Sequence, residues 1–349
     1  MICWIVLKYR MNKKCFDDIV ILRFIVILWL IIYHSTAFFV GAWKVPFVYE
    51  FGEATYIYVW VARGAYAIML EMFTFISGFL FASQIKDYTF FSLLKKKCRR
   101  LIIPAIVWGI VYAFALNKVV FESGWQFFGE LLNGVGHLWF LPMLFWCFII
   151  GFVLFKYINN FWIVVLCSFI LCVLSRYISV SFGGFFMAFK YLFYFVLGFY
   201  ICFYRNVIFS NFLKWRWIIL LIFISLFSFI SYYEVLKQWS SFGASFNAAI
   251  RFGISSVYKF CGVISLFLLV NKILSKNGRL KSFFYQFSIL SMGIYVFHQM
   301  IIDYLYNYTE LPSEINIMLL PAIAGVIALG GSALLTWTLV KMKVNKILL

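Results

Sequence analysis

Ten apolar stretches, each about long enough to cross a bilayer and joined by short polar connections, dictate what this chain can fold into. They run roughly over residues 19–42, 64–83, 101–117, 137–155, 161–180, 184–203, 216–234, 249–270, 284–306 and 318–340. Hydrocarbon offers no partner to backbone N–H and C=O groups, so a spanning segment must close its hydrogen bonds within itself or in a closed barrel. Apolar runs of about twenty residues have the length of spanning helices, whereas barrel strands need only about ten. Only 12% of the residues are charged and 65% are hydrophobic, against about a quarter charged in soluble domains.

An independent check comes from basic residues, which concentrate in cytoplasmic loops. With the N-terminus inside, the inner segments hold 21 Lys+Arg and the outer segments 6, with Arg23, Arg251 and Lys259 inside the spans. Acidic residues lean the other way: Glu50, Glu53, Glu122, Glu130, Glu234, Glu310 and Glu314 all fall outside. The expectation is an all-α, polytopic transmembrane helical bundle of about ten helices. It is a single domain over residues 1–349, with both termini cytoplasmic, in the cell membrane. The longest connections, about 15–20 residues, are too short for an independent core. The start of the chain has a short apolar run followed by charge, so the first helix is expected to act as an uncleaved insertion signal. The net charge of +18 is accounted for by the loop asymmetry, and no nucleic-acid partner is expected. The eight cysteines show neither CxxC nor metal-ligand spacing, so neither a disulfide framework nor a metal site is expected. The aromatic richness, with 45 Phe, reads mostly as lipid-facing and interfacial packing.

Costly polar residues inside the spans are candidates for function. The first span carries Arg23 and His34, eleven residues apart, hence on one helix face and roughly 16 Å apart along the axis. By depth, Arg23 lies near the cytoplasmic face, His34 roughly 12 Å below the outer surface and Glu71 roughly 10 Å below it. His298, Asp303 and His137 also fall in the outer half, which suggests a polar cavity there. At the inner side the run Lys95, Lys96, Lys97, Arg99 and Arg100 precedes Pro104. That run suits either topology anchoring or a seat for phosphates, which Arg and Lys clamp well. Arg23 alone also fits a side chain snorkelling to the headgroups. His137 and His298 equally fit structural hydrogen bonds, whereas an unpaired Glu71 would be costly.

Taken in order, these residues resemble the acyltransferase 3 family of integral-membrane acyltransferases. The resemblance rests on Arg23 followed by His34 and on the second-helix element Phe73-Thr74-Phe75-Ile76-Ser77-Gly78. It continues with the basic run ending before Pro104. It closes with Gly136-His137-Leu138-Trp139-Phe140-Leu141, similar to the fucose 4-O-acetylase-like branch, and with Gly293-Ile294-Tyr295-Val296-Phe297-His298. Thr74 stands where that family usually has Phe, and Glu71 where an apolar residue is usual.

The resemblance implies transfer of an acyl group, most simply acetyl, from cytosolic acetyl-CoA or another acyl-CoA to a hydroxyl of a cell-surface or lipid-linked glycan. Membrane lipids surround the protein, and no tightly bound cofactor is implied. On that reading Arg23, Arg99 and Arg100 are expected to hold the nucleotide phosphates, with the pantetheine arm threading towards His34. There His34 is expected to act as general base, with its other ring nitrogen held by a neighbour such as Glu71, and His298 or Ser77 to help polarise the thioester carbonyl. A covalent acyl-His34 route stays open. The rival reading is a membrane exporter or flippase of a polysaccharide intermediate, with polar residues lining its path.

Overall fold

The computed structural model describes residues 17–42, 45, 53–116, 124–178, 180, 182–235, 244–273 and 278–342. The two ends placed inside, the uncleaved insertion signal, Cys3, Cys15, Trp43, Glu50 and Glu122 lie outside the described residues. Among those described, the chain is helical throughout and contains no strand. It is an all-α multi-pass membrane bundle.

Helix α1 (Asp17–Thr36) opens the described chain. Helices α2 (Glu53–Tyr66) and α3 (Met69–Gln84) follow as two halves of one crossing, Tyr56–Asp87. Sequence reading begins that crossing at 64. The helix in fact starts well before it and breaks just after Gly64, the poorest helix former nearby. Helices α4 (Phe90–Lys97) and α5 (Ile103–Ala115) form the next crossing. They are joined by a π-turn over Cys98–Ile102 in which Ile103 N–H reaches the carbonyl of Cys98. Pro104 explains the wider turn: it has no N–H for the carbonyl of Arg100, and its ring crowds that carbonyl.

Helix α6 (Gly124–Asn133) is followed by α7 (Phe140–Tyr157), α8 (Phe161–Leu174) and α9 (Phe185–Phe212). Next come α10 (Trp215–Ile230), α11 (Ala244–Ile273) and α12 (Gly278–Tyr308). The one-turn α13 (Leu311–Glu314) and the final α14 (Leu320–Lys341) complete the order. Nine stretches among the described residues are long and apolar enough to cross a membrane. The expected fifth span is the shorter Phe161–Tyr177, about 25 Å long and begun by Asn160, whose side chain caps Trp162 N and Ile163 N.

Helix α1 packs against α2, α3, α12 and α14, so its polar residues face protein on several sides. Its N-terminal end is tied down by Asp18, whose carboxylate accepts from Arg205 of α9 at 2.9 Å while the same guanidinium nitrogen reaches Asn271 of α11. In a bilayer helices associate by close packing, because lipid tails are as apolar as the side chains. The crossing of α3 and α9 shows this directly. A Cβ on Gly78 would lie 2.0 Å from the carbonyl oxygen of Phe195, and one on Gly198 equally close to that of Phe75. The glycine of the Ser77-Gly78 element is therefore a packing residue. Around it Phe75, Phe79, Phe81, Phe152, Phe195 and Phe267 are fully buried. These rings fill the interior, while others such as Phe91, Trp125, Trp162 and Phe223 are exposed. Gly78→Val is expected to cost more than the about 1–3 kcal/mol typical of overpacking, because the obstacle is backbone. Thermal-challenge size-exclusion of the detergent-purified protein measures this, and a wild-type melting profile would contradict the packing role.

Candidate active site

The histidines of α1, α7's lead-in turn and α12 meet. His34 sits in the last turn of α1, and its ring centre is 5.0 Å from that of His298 and 6.1 Å from that of His137; His137 and His298 are 5.0 Å apart. Local chain geometry brings His137 there. Gly136 adopts a left-handed φ of 56°, which L side chains resist, and starts the 3-10 turn Gly136–Trp139 that aims the imidazole inward.

Hydrogen bonds assign two of the three tautomers. His137 Nε2 lies 3.0 Å from the carbonyl oxygens of both Tyr295 and Val296, so it carries the proton and donates. His298 Nδ1 donates to the Ile294 carbonyl at 2.9 Å. The remaining nitrogens, His137 Nδ1 and His298 Nε2, are buried lone pairs with no hydrogen-bond partner. A neutral His298 held in this way accepts at Nε2 and has no second N–H to offer a carbonyl. Tyr112 adds a further polar group, its hydroxyl donating to buried Asp303 at 2.8 Å.

A cavity of about 600 Å³ opens in front of this cluster, lined among others by His34, Tyr66, Tyr112, Glu130, His137 and Gln299. That volume is in the range of small-molecule sites. A second, smaller cavity of about 160 Å³ lies towards the N-terminal end of α1 and is lined by Arg23, Ser77, Gln84, Lys97, Arg100 and Ser291 among others. Phe140 and Tyr295 line both, so the basic and the histidine cavities stand back to back across these two rings. Helix α1 passes both, showing Arg23 and Ile27 to one and Leu30 and His34 to the other. Among the described residues no group of three or more His, Cys, Asp or Glu side chains is arranged to hold a metal ion.

Several sequence expectations change. Arg23, Arg100 and Ser77 do come together, but Arg99 is exposed and absent from the cavity wall. Lys97 takes that place: it is buried, with its ammonium 3.3 Å from the centre of the Phe148 ring. Ser77 gives its hydroxyl proton to the Phe73 carbonyl at 2.9 Å.

Glu71 is the clearest correction. It is not on the wall of the histidine cavity, where its neighbours Met69 and Leu70 are. It forms a buried ion pair with Lys259 of α11 instead. The rotation of about 100° per helical residue turns it from α1 towards α11. The cost of an unpaired carboxylate was a signal that a partner existed, and Lys259 was a cation already within a span. Removing one member of such a pair strands the other. Lys259→Met is therefore expected to destabilise by about 3–5 kcal/mol, and Glu71→Leu with Lys259→Met to recover most of it. Thermal unfolding in detergent reads both, and a double variant no more stable than the single would contradict the pairing.

Residues 16–340 match the family model described as an acyltransferase domain. No curated protein and no solved structure matches the chain.

Proposed function

This chain belongs to that acyltransferase family, and we propose that it moves an acyl group, most simply acetyl, from cytosolic acyl-CoA to a hydroxyl of a cell-surface or lipid-linked glycan. The observation that carries the reading is the pair of cavities sharing the walls Phe140 and Tyr295, one cationic and one lined by histidine. The membrane is the cell membrane, with the cationic cavity at its cytoplasmic side. An exporter finds no support in an acyltransferase family.

Arg23, Lys97 and Arg100 hold the phosphates of the donor through charge-assisted hydrogen bonds. The pantetheine arm runs along α1, past Phe140 and Tyr295, for roughly 16 Å. In the histidine cavity the acceptor oxygen attacks the thioester carbonyl carbon as His34 takes its proton. The C–S bond then breaks, and the CoA sulfur leaves as thiolate and is reprotonated. His298 serves in place of Glu71 as the group that orients His34: its unpartnered Nε2 lone pair, on a ring 5.0 Å from that of His34, takes up the imidazole N–H when the other nitrogen acts as base. His137, fixed by two carbonyls, supplies a further acceptor at Nδ1. A route through acyl-His34 uses the same residues, with label retained on the protein between two half-reactions.

The test is turnover of radiolabelled acetyl-CoA by the purified protein in nanodiscs supplied with glycan extracts. Label transferred to glycan supports the reading. Glycan uptake without acyl-CoA turnover would overturn it in favour of transport.

A further inference from the structure

A third cavity, distinct from the two just described, borders the histidine cavity across Tyr33 and Tyr66. It has a volume of about 440 Å³ and is lined by Tyr33, Phe39, Val40, Val59, Ala62, Arg63, Tyr66 and Tyr233. Tyr33 and Tyr66 line the histidine cavity as well; their rings are 4.7 Å apart, and that of Tyr33 is 5.0 Å from that of His34. Whatever occupies the third cavity is thus one tyrosine ring away from the histidine cluster.

Its chemistry is unlike that of a lipid-filled crevice. Arg63, on the last turn of α2, holds its guanidinium 4.6 Å from the centre of the Tyr233 ring and 5.7 Å from that of Trp60. Those rings belong to a cluster with Phe229, whose centre is 5.0 Å from that of Tyr233 and 5.8 Å from that of Trp60. The arginine is therefore held in place by its aromatic neighbours. Among the described residues Asp18–Arg205 and Glu71–Lys259 form ion pairs, and Arg63 is in neither. A charged group fixed on a membrane-spanning segment is a candidate functional site. Its planar fork of N–H donors matches a carboxylate in a two-point contact. The electron-rich ring faces around it suit the polarised C–H face of a pyranose.

We propose that this cavity binds the acceptor, and that the acceptor is an acidic saccharide whose carboxylate pairs with Arg63 while its ring packs on Tyr233 and the Tyr33–Tyr66 wall. The proposal rests on the acyl-transfer reading for the word acceptor; the binding site itself stands without it. Specificity then comes from the carboxylate, and the hydroxyl to be acylated faces His34.

The experiment is calorimetric binding of digalacturonate and of its neutral methyl ester to the purified protein in uncharged detergent. The acid is expected to bind at least tenfold more tightly than the ester. Arg63→Gln is expected to abolish that preference, and Arg63→Lys to keep part of it, with wild-type melting profiles as the folding control. Equal binding of acid and ester, or an unchanged preference in Arg63→Gln, overturns the proposal. So does displacement of the acid by phosphatidylglycerol at equimolar concentration, which would make the cavity an anionic-lipid site. Should selective binding hold while acyl-CoA turnover is absent, the transfer reading falls and the saccharide site remains.

Discussion

His34→Ala is expected to lower acyl transfer by about 10²–10⁴-fold, the usual contribution of a positioned acid–base group, while acyl-CoA affinity stays within about twofold. The separation follows from the geometry, because His34 lines the larger cavity and the cations line the smaller one. Steady-state transfer and equilibrium donor binding, measured on the same preparation, give the two numbers. His298→Ala should fall in the same direction by a smaller factor, since it acts through His34. Retention of full transfer by His34→Ala would remove the general base from the account, and an equal loss of donor binding would mean that the two cavities do not divide the labour.

Lys97→Met carries the second large effect. Charge-assisted hydrogen bonds contribute about 1.5–3 kcal/mol, so losing this ammonium should weaken acyl-CoA binding by about 10- to 100-fold. Arg99→Ala, two residues along the same basic run, is expected to change it less than about twofold. Competition binding with radiolabelled acyl-CoA distinguishes them. The contrast is sharp because charge counting favours Arg99 and the cavity favours Lys97. A larger effect for Arg99 would return the phosphate seat to the arginines and leave Lys97 as a packing residue over Phe148.

What could be read from the sequence follows from what residue order encodes. The spans were legible because a bilayer imposes length and apolarity on each segment separately. Arg23 and His34 were legible as a pair because both lie on one unbroken helix, where eleven residues bring the face round again. The exchange of Arg99 for Lys97 was not, since the π-turn at Cys98–Ile102 interrupts helical phase inside the basic run. Glu71 was given the wrong neighbour. Depth fixes a level in the membrane, whereas its partner Lys259 depends on how α3 and α11 are arranged around it. His137 was ambiguous for a related reason: its position depends on a left-handed Gly136, and that local turn decides whether a helix-leading histidine points into the bundle. Gly78 was visible as part of a motif, but its reason, the backbone of α9 at 2.0 Å from a would-be Cβ, is a tertiary fact. The shared Phe140–Tyr295 wall has no one-dimensional trace at all.

In the proposed mechanism donor and acceptor use opposite faces of one protein, with the acyl group passing from the cationic to the histidine cavity. Sealed proteoliposomes of defined orientation test it most directly, with labelled acyl-CoA supplied on one face and glycan on the other. Labelled glycan is expected only when acyl-CoA is on the face that carries Arg100 and the glycan is on the opposite face. Label transfer only when both substrates share one face would contradict it.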